Sequence, residues 1–375
     1  MADWVLYLSA AAAVLWLLTL LMPWQAWRTR ETLEADTSDA GVADLSDLTV
    51  VIPARNEAEV IAETLSALAR QGQGLEVILV DDDSSDGTAE MARQVGLERL
   101  NIIRGKPLPT GWTGKLWAQE QGLASVRTPL CLLLDADIKL VPGLIKSLKG
   151  KQTSEDSQFV SLMAELRFGS FWEKLLMPAF IYFFKMIYPF ALANKPDSRM
   201  AAAAGGCILV KTEVLRRIGG MAAIKDAVID DCTLARKVKS AGYKTWIGLT
   251  HGVLSQRPYV TLTEIWEMVA RTAYTQLGYS VILLMACSAI MFIMYWLPVL
   301  GVFIFEGIPV LLSLVSILIM VATYMPVLRF YQFNPLWTVG LPIIAGLYLM
   351  MTWTSALRYW RGERSRWKGR IYQNS

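Results

Sequence analysis

Charge is scarce in this sequence of 375 residues, and so is histidine. Only 18% of the residues are charged and 54% are hydrophobic, whereas soluble domains average about 25% charged and roughly 45–50% apolar residues. This excess of hydrophobic residues argues against a disordered chain and against a wholly soluble protein. Yet 36 Lys and Arg with 33 Asp and Glu are too many for a protein lying entirely in a membrane. The composition predicts one water-soluble domain joined to a few membrane segments.

Neither sign of charge dominates, and cysteines are few. A formal net charge of +3 is too small to indicate nucleic-acid binding. The four cysteines, Cys131, Cys207, Cys232 and Cys287, lie in or beside apolar runs and lack the spacing of a metal site. We therefore expect no disulfide framework and a soluble domain facing the reducing cytosol.

The first 28 residues predict an N-terminal transmembrane anchor. No charge lies between Asp3 and Arg28, and this run is long enough to cross a hydrocarbon core of about 30 Å. A cleaved signal peptide is the alternative, but Arg28 and Arg30 follow the apolar run rather than precede it. The positive-inside rule then places the arginine side in the cytoplasm.

A second group of apolar runs, at 280–357, predicts C-terminal membrane helices. The runs 280–303 and 309–327 fit two helices, and a third run, 330–357, is interrupted by prolines. A basic cytoplasmic tail (358–375) follows, with Arg358, Arg361, Arg364, Arg366, Lys368 and Arg370. Three full spans after a cytoplasmic domain would put this tail outside. We therefore interpret the last run as re-entrant or interfacial.

Two further segments are predicted to lie at the membrane surface. The segment 171–194 is rich in Phe and contains Lys174 and Lys185, whose ammonium groups we expect to snorkel to the headgroups. The segment 261–279 is predicted to be an amphipathic interface helix.

Short apolar runs alternate with helical patterns between residues 46 and 260. Strands are predicted at 48–53, 75–80, 100–104 and 130–134, and helices at 57–70, 87–95 and 114–125, the first beginning with a capping box of Asn56 and Glu59. This alternation predicts a parallel sheet covered on both faces, with ligands outside the carboxyl ends of the strands.

Acidic residues follow two of these strands. Asp81, Asp82 and Asp83 end the second strand, and Asp135 and Asp137 follow the fourth on one face, with Ala136 turned away. Two carboxylates so placed can hold Mg²⁺ or Mn²⁺ together with a diphosphate. Solvated acids at a strand end are the alternative.

Four motifs follow one another over residues 48–250: VIPARNE (51–57), VDD with SSDGT (80–88), DAD (135–137) and IDDCTL (229–234). In the order and rough spacing of these motifs, the chain resembles family 2-type glycosyltransferases. The resemblance implies an α/β GT-A (Rossmann-like) nucleotide-sugar domain with a mixed, mostly parallel sheet, plus the N-terminal anchor and C-terminal membrane helices.

Four further segments are informative: PTGWTGKLWA (109–118), WEKLL (172–176) with YPF (188–190), AAAAGGC (201–207) and RTAYTQL (271–277). In these segments the chain more closely resembles the hopene-associated glycosyltransferases of bacterial hopanoid biosynthesis. The chain is also similar to ceramide glucosyltransferases and bacterial carotenoid glycosyltransferases.

The resemblance implies where a nucleotide sugar, with UDP as the expected nucleotide, would bind. The ends of the first two strands would hold the nucleoside, and Asp82 would contact the base. Lys115, Asp135 and Arg271 would serve the diphosphate, and Asp137 the metal, although Lys115 could instead be an exposed helix lysine. Asp83 stands where the family usually has Gly. The nucleoside positions are Pro53, Ala54, Arg55, Glu57, Asp81 and Asp82.

Asp231 is the candidate catalytic base in this resemblance. It would take the proton of the acceptor hydroxyl as that oxygen attacks the anomeric carbon, and the N-terminus of the following helix would keep it ionised. Asp230 replaces the usual Glu, so the two aspartates could exchange roles; a capping role for Asp231 is the plain alternative.

Other candidates are less specific. Gly205 and Gly206 either let the backbone approach the substrate or form a tight turn. His251 follows a further strand predicted at 243–249 and is either a metal ligand or an ordinary loop residue. Trp266 is expected to face lipid or acceptor.

The predicted function is inverting, metal-dependent transfer of one sugar from a nucleotide sugar to a membrane lipid, a hopanoid by resemblance. A ceramide-like lipid, a glycerolipid or a carotenoid are alternative acceptors, and a non-catalytic scaffold in lipid synthesis is an alternative of another class. We expect an integral protein of the inner (plasma) membrane, with its catalytic domain in the cytoplasm. A span at 171–194 is excluded because it would separate Asp135 and Asp137 from Asp231.

Overall fold

A computed structural model describes residues 3–38, 41–367 and 370–373, with side chains up to Glu363. The helices are α1 (Asp3–Leu21), α2 (Ile61–Ala69), α3 (Thr88–Gln94), α4 (Gly114–Ser125), α5 (Leu144–Ser154), α6 (Phe171–Ile187), α7 (Phe190–Ala193), α8 (Thr212–Arg217), α9 (Asp230–Ser240), α10 (Leu262–Ala270), α11 (Ala273–Gln276), α12 (Val281–Met291), α13 (Leu297–Ile304), α14 (Ile308–Phe330) and α15 (Leu341–Trp360). The strands are β1 (Leu48–Ala54), β2 (Glu76–Asp81), β3 (Leu100–Arg104), β4 (Leu130–Leu134), β5 (Ile138–Leu140), β6 (Phe159–Glu165), β7 (Cys207–Lys211), β8 (Thr245–Ser255), β9 (Glu363–Trp367) and β10 (Arg370–Gln373). Lys368 of the predicted tail lies outside the described residues.

The main sheet has the order β3-β2-β1-β4-β7-β6-β8-β5. Strands β3, β2, β1 and β4 run parallel, β7 is antiparallel to both of its neighbours, and β6 pairs in parallel with β8. Apolar side chains cover both faces, since Val50 and Ile52 belong to one core cluster and Val51 to another. The predicted mixed, mostly parallel sheet is therefore confirmed, and its first four strands lie within one residue of their predicted bounds.

The start of the first domain helix differs from the prediction. Helix α2 begins at Ile61, after Val60, whose side chain makes no capping hydrogen bond. Asn56 has a φ of 52° and lies in the loop, so the predicted capping box of Asn56 and Glu59 is wrong. The polar residues after β1 shape this loop rather than a helix end.

Among the described residues, four helical segments are long and apolar enough to cross a membrane: Asp3–Leu21, Val281–Ile304, Ile308–Phe330 and Pro335–Trp360. The second joins α12 and α13 through a π-helical turn at Phe292–Trp296. Two of the expected C-terminal helices, 280–303 and 309–327, thus have counterparts within a few residues of their predicted ends.

Helix α15 begins and ends against segments that belong to the sheet domain or lie directly next to it. The 3₁₀ turn before it contains Trp337, whose ring centroid lies 6.1 Å from that of Phe171 at the start of α6. At its other end, Arg358 forms two hydrogen bonds with Glu267 of α10. In between, the Tyr348 hydroxyl donates to the Leu176 carbonyl at 2.9 Å. The helix therefore packs along the side of the domain that carries α6 and α10.

Helix α6 buries one face in the core, and only one of its two lysines is exposed. Its Ser170–Glu173 capping box is formed, and Leu176, Met177 and Tyr182 are fully buried. Lys185 corrects the snorkelling prediction: its side chain is 1% exposed, and its Nζ lies 3.3 Å from Glu31 and above the Phe190 ring. Lys174, in contrast, is exposed.

The Lys185–Glu31 pair should matter for stability. Replacing Lys185 with Met leaves the partly buried Glu31 without its cation, and we expect a loss of about 2–3 kcal/mol, measured as a lower thermal unfolding midpoint in detergent. Lys174→Met, on the same helix but exposed, is the matched control and should leave the midpoint unchanged. An equal midpoint for both variants would contradict this role of the pair.

Candidate active site

A pocket of about 210 Å³ opens at the carboxyl ends of β1 and β4. This is the edge of a parallel sheet at which ligands bind in such folds. The wall combines the loop after β1, the start of α4, the connection after β4, the start of α9 and the segment after β8. Seven predicted site residues line it: Pro53, Glu57, Lys115, Asp135, Asp137, Asp230 and Arg271.

Lys115 binds two carboxylates of the pocket. It is the second residue of α4, and its Nζ lies 2.8 Å from Asp135 and 3.4 Å from Asp230. Its side chain is only 18% exposed, so the alternative of a freely solvated helix lysine does not hold. A cation held here is available to a bound phosphate as well as to the two acids.

Arg257 is the main wall residue that the sequence analysis missed. Its Nε lies 2.8 Å from Asp137 and its Nη2 lies 3.1 Å from Glu57, so it joins two predicted site residues. The strand predicted at 243–249 continues to Ser255, which places Arg257 just after its carboxyl end. The rule that ligands bind at strand ends would have found Arg257 if that end had been predicted correctly.

Asp231 lies beside this wall, whereas Asp230 forms part of it. The Asp231 carboxylate accepts the Gly205 N–H at 3.0 Å and the Cys232 N–H at 2.7 Å. A Cβ built on Gly205 would lie 3.2 Å from Lys115 Nζ and 3.5 Å from Asp231. The missing side chain of Gly205 therefore lets these two groups approach. Neither Gly205 nor Gly206 has a positive φ, so no turn demands glycine there.

Burial is the largest influence on the pKa values of Asp231 and Asp135. It raises the pKa of Asp231 to about 7, with a further contribution from the charge of Asp230, against the opposing backbone N–H groups and Lys115. The expectation that the helix N-terminus keeps Asp231 fully ionised therefore needs correction. Burial also raises the pKa of Asp135, although Lys115 opposes the shift. For Lys115, burial lowers the pKa, but Asp135 and Asp230 outweigh it and the pKa lies above its ordinary value.

The SSDGT motif holds the loop that carries Glu57 in place through hydrogen bonds. The Asn56 N–H donates to Ser84 at 3.0 Å, and the Ser85 N–H donates to the Asn56 side chain at 2.9 Å. The Glu57 N–H donates to Thr88 at 2.9 Å. These bonds connect the loop after β1 to the loop after β2, so the motif positions one wall of the pocket.

Four predicted nucleoside residues do not line the pocket. Ala54 and Asp82 are buried, and the Asp81 carboxylate accepts the Ser84 N–H at 3.0 Å. Arg55 donates to the backbone carbonyls of Asp82 and Asp83, at 2.5 and 3.3 Å. Asp83, which replaces the usual Gly, has a φ of 58° and so takes the left-handed conformation of a glycine. In this structure these residues shape the strand ends.

The structure contradicts a metal-ligand role for His251. Its Nδ1 lies 2.9 Å from Glu34 and its Nε2 lies 2.9 Å from the Phe330 carbonyl, so both ring nitrogens have partners outside the pocket. The ring also stacks on Phe330. His251 connects the segment after α1 to the end of α14.

Trp266 does not line the pocket either. Its Nε1 donates to Thr354 of α15 at 3.0 Å, and the side chain packs against a core cluster shared by α6, β8, α14 and α15. The wall itself contains another aromatic residue, Tyr259, which the sequence analysis did not single out.

The acids of the pocket suit a metal that is shared with a substrate. Among the described residues, no group of three or more His, Cys, Asp and Glu side chains is placed to hold an ion. Mg²⁺ is commonly bound by one or two carboxylates together with substrate phosphates. Asp135 and Asp137 supply such a pair, and the remaining ligands would come from the substrate and water.

Sequence comparison finds the family described as "Glycosyl transferase family 2" over residues 49–219. The 4,4'-diaponeurosporenoate glycosyltransferase of Staphylococcus haemolyticus is 37% identical over 93 residues, which are 25% of this chain and 24% of that protein. The succinoglycan biosynthesis protein ExoU of Rhizobium meliloti is 31% identical over 105 residues, 28% of this chain and 30% of that protein. The chain thus spans less than a third of the length of these relatives.

Structural comparison finds the mannosyltransferase PcManGT of Pyrobaculum calidifontis, solved with GDP-Man and Mn²⁺. The likeness covers 93% of this chain and 99% of that protein, with a TM-score of 0.53 and 18% identity, and at this identity it shows the fold alone. The family match ends before Asp230, Arg257 and Arg271. The structural likeness confirms the predicted GT-A fold, and the family match covers residues 49–219, less than half of the chain.

Proposed function

We propose that the protein transfers a single sugar from a nucleotide sugar to a hydroxyl group of a membrane lipid, with inversion at the anomeric carbon. The observation that carries this proposal is the convergence of Asp135, Asp137, Lys115 and Asp230 in one pocket of a GT-A fold, with Asp231 beside it. A non-catalytic scaffold would not need partly buried acids and a partly buried lysine held so close together.

In the proposed reaction, the acceptor oxygen attacks the anomeric carbon as the bond from that carbon to the diphosphate oxygen breaks. The acceptor proton passes to the Asp231 carboxylate, and the nucleoside diphosphate leaves with the bonding electron pair. A pKa near 7 suits this proton transfer, because a base works best when its pKa is close to the working pH. Asp230 holds Lys115 and is the second candidate, since it lines the pocket directly.

Cations around the pocket would bind the diphosphate. Lys115, Arg257 and Arg271 all line it, and a positive charge beside a leaving diphosphate stabilises the charge that develops there. A bound Mg²⁺ or Mn²⁺ would supply further stabilisation of that charge, with Asp135 and Asp137 as its protein ligands. UDP remains the proposed nucleotide.

The proposed acceptor is a lipid because apolar helices pack against the domain that carries the site. Large apolar side chains are exposed on α1, α12, α14 and α15, as a hydrocarbon environment requires. A hopanoid follows from the motif resemblance, and the 4,4'-diaponeurosporenoate glycosyltransferases favour a carotenoid-type acceptor as the second candidate.

We further propose that α15 does not cross the membrane. Its two ends contact the domain side, so α1, the joined α12–α13 and α14 are the three crossing segments, and both the domain and the basic tail lie in the cytoplasm. In this arrangement the conflict between the basic tail and three C-terminal spans disappears. Reporter fusions after Trp360 and within the loop 305–307 should give opposite orientations.

The reaction is tested with the purified full-length protein in detergent. Radiolabelled UDP- and GDP-sugars are incubated with Mn²⁺ and lipids extracted from the source organism, and label in the organic phase is measured. Loss of one glycosylated hopanoid from a gene-deletion strain would identify the acceptor. Absence of both transfer and donor hydrolysis for every donor would overturn the proposal.

Arg257 gives a separate prediction for the donor site. Arg257→Gln removes a cation from the pocket wall, and we expect the KM for the donor to rise roughly tenfold, which corresponds to about 1.4 kcal/mol. Arg93→Gln is the control, because Arg93 is exposed, pairs with Glu90 and does not line the pocket. An unchanged donor KM in Arg257→Gln would exclude Arg257 from donor binding.

A further inference from the structure

A second, larger cavity adjoins the proposed donor pocket. It measures about 390 Å³, against about 210 Å³ for the donor pocket, and lies between α10, the end of α15 and the segment after β8. Three residues, Arg257, Tyr259 and Arg271, line both spaces. A molecule in the larger cavity would therefore be separated from the donor only by shared side chains. We call this space the α10–α15 chamber.

Charges in the wall of the chamber are balanced. Three arginines face three glutamates: Arg257, Arg271 and Arg358, with Glu264, Glu267 and Glu363. Several of these groups already have partners within the protein. Arg358 binds Glu267 through two hydrogen bonds, one of them 2.7 Å long, and Arg257 binds Asp137 and Glu57. The chamber therefore offers no surplus of positive charge to an anionic headgroup.

Balanced carboxylates and guanidinium groups suit hydroxyl groups instead. A hydroxyl donates to a carboxylate oxygen and accepts from an N–H, so it can use both kinds of wall residue. The volume of the chamber is within the range of about 300–1,000 Å³ that is usual for small-molecule sites. Both its size and its polar groups therefore match a neutral headgroup that carries hydroxyls.

Exposed apolar residues lie next in sequence to several residues of the chamber wall. Val260, Leu357 and Trp360 are 58%, 46% and 47% exposed, and each lies within two residues of a wall residue. Leu357 and Trp360 belong to α15, one of the segments apolar enough to contact hydrocarbon. An apolar tail attached to the headgroup could therefore remain in the membrane while the headgroup enters the chamber.

From these observations we infer that the α10–α15 chamber binds the neutral, hydroxyl-bearing headgroup of the lipid acceptor and directs one hydroxyl past Arg271 and Tyr259 to the donor. The inference rests on the proposed transfer to a lipid, and it adds the location of the acceptor site and the charge class of its ligand. Glu267 and Met268, both in the wall, are then acceptor-binding residues.

The test compares two lipid fractions and two variants. Lipids of the source membranes are separated on an anion-exchange resin into neutral and acidic fractions, and each is offered to the purified full-length protein with radiolabelled donor. We expect label in the neutral fraction only. Glu267→Gln, which removes a carboxylate, and Met268→Trp, which fills the chamber, should each raise the apparent KM for that fraction about tenfold and lower the ratio of transfer to donor hydrolysis.

Glu90→Gln is the matched control, because Glu90 also pairs with an arginine but lies on the exposed face of α3. It should change neither rate. Thermal unfolding midpoints of all variants show whether a loss reflects misfolding. Label in the acidic fraction, or an unchanged KM in both chamber variants, would overturn this inference. Donor hydrolysis without transfer to the neutral fraction would also overturn it while leaving the donor chemistry intact, whereas absence of both reactions would count against the proposed function itself.

Discussion

Asp231→Asn is expected to lower kcat for sugar transfer by about 10³-fold, because a positioned general base contributes roughly 10²–10⁴-fold. The amide keeps the shape of the carboxylate but cannot accept the proton of the acceptor hydroxyl. Donor binding should be retained, since Asp230 and not Asp231 lines the donor pocket. Single-turnover transfer, measured together with donor binding by titration calorimetry, separates the two effects.

The pH profile gives a second readout of the same prediction. The carboxylate must be ionised to accept a proton, and burial raises its pKa to about 7. Transfer by the parent protein should therefore fall about tenfold for each pH unit below 7, and this limb should be absent from the residual activity of Asp231→Asn. If Asp230→Asn instead causes the larger loss and removes the limb, the two aspartates have the opposite roles.

Asp137→Asn is expected to cost at least about 100-fold in transfer, or roughly 3 kcal/mol of transition-state stabilisation. The substitution removes one of the two carboxylates that suit a shared metal, and it also frees Arg257 from its 2.8 Å contact. EDTA should abolish transfer by the parent protein, and Mn²⁺ or Mg²⁺ should restore it. In the variant, the metal concentration for half-maximal rate should rise.

Asp156→Asn is the control for this loss, because Asp156 is an exposed acid whose carboxylate lies 3.7 Å from the ammonium group of Lys244 at the surface. It should retain the activity and metal dependence of the parent protein. Full transfer by the EDTA-treated parent protein, or an unchanged metal requirement in Asp137→Asn, would exclude the proposed metal role.

Much of the fold could be predicted because each strand of the first half is a short apolar run between polar turns. Strands β1, β2, β3 and β4 lie within one residue of their predicted bounds. Burial on both faces leaves little freedom in where β1, β2 and β4 end, whereas the edge strand β3 is only partly buried. Lys185 was harder to predict. A lysine in an aromatic helix is expected at a membrane surface, and only the fold brings Glu31, 154 positions away, to its ammonium group.

The site residues could be predicted where a motif directly follows a strand. They were missed where contacts between distant parts of the sequence determine which side chains line the pocket. Asp135 and Asp137 follow β4 immediately, and both line the pocket. Arg257 was missed because β8 extends beyond the polar residues Thr250 and His251, which interrupt its apolar pattern. For His251, no local signal could show that Glu34 and the Phe330 carbonyl take both ring nitrogens.

Lys115 and Arg257 have a consequence for the order in which ligands bind. They contact Asp135 and Asp137, so the protein's own cations neutralise the two acids that suit a metal. A divalent ion arriving alone would have to displace these cations and leave them without a counter-anion. A metal–nucleotide complex brings the anions that can receive them. The ion and the donor would then have to bind together as one complex. In the ligand-free enzyme, the two acids would remain paired with Lys115 and Arg257, and free divalent ions would not bind to them.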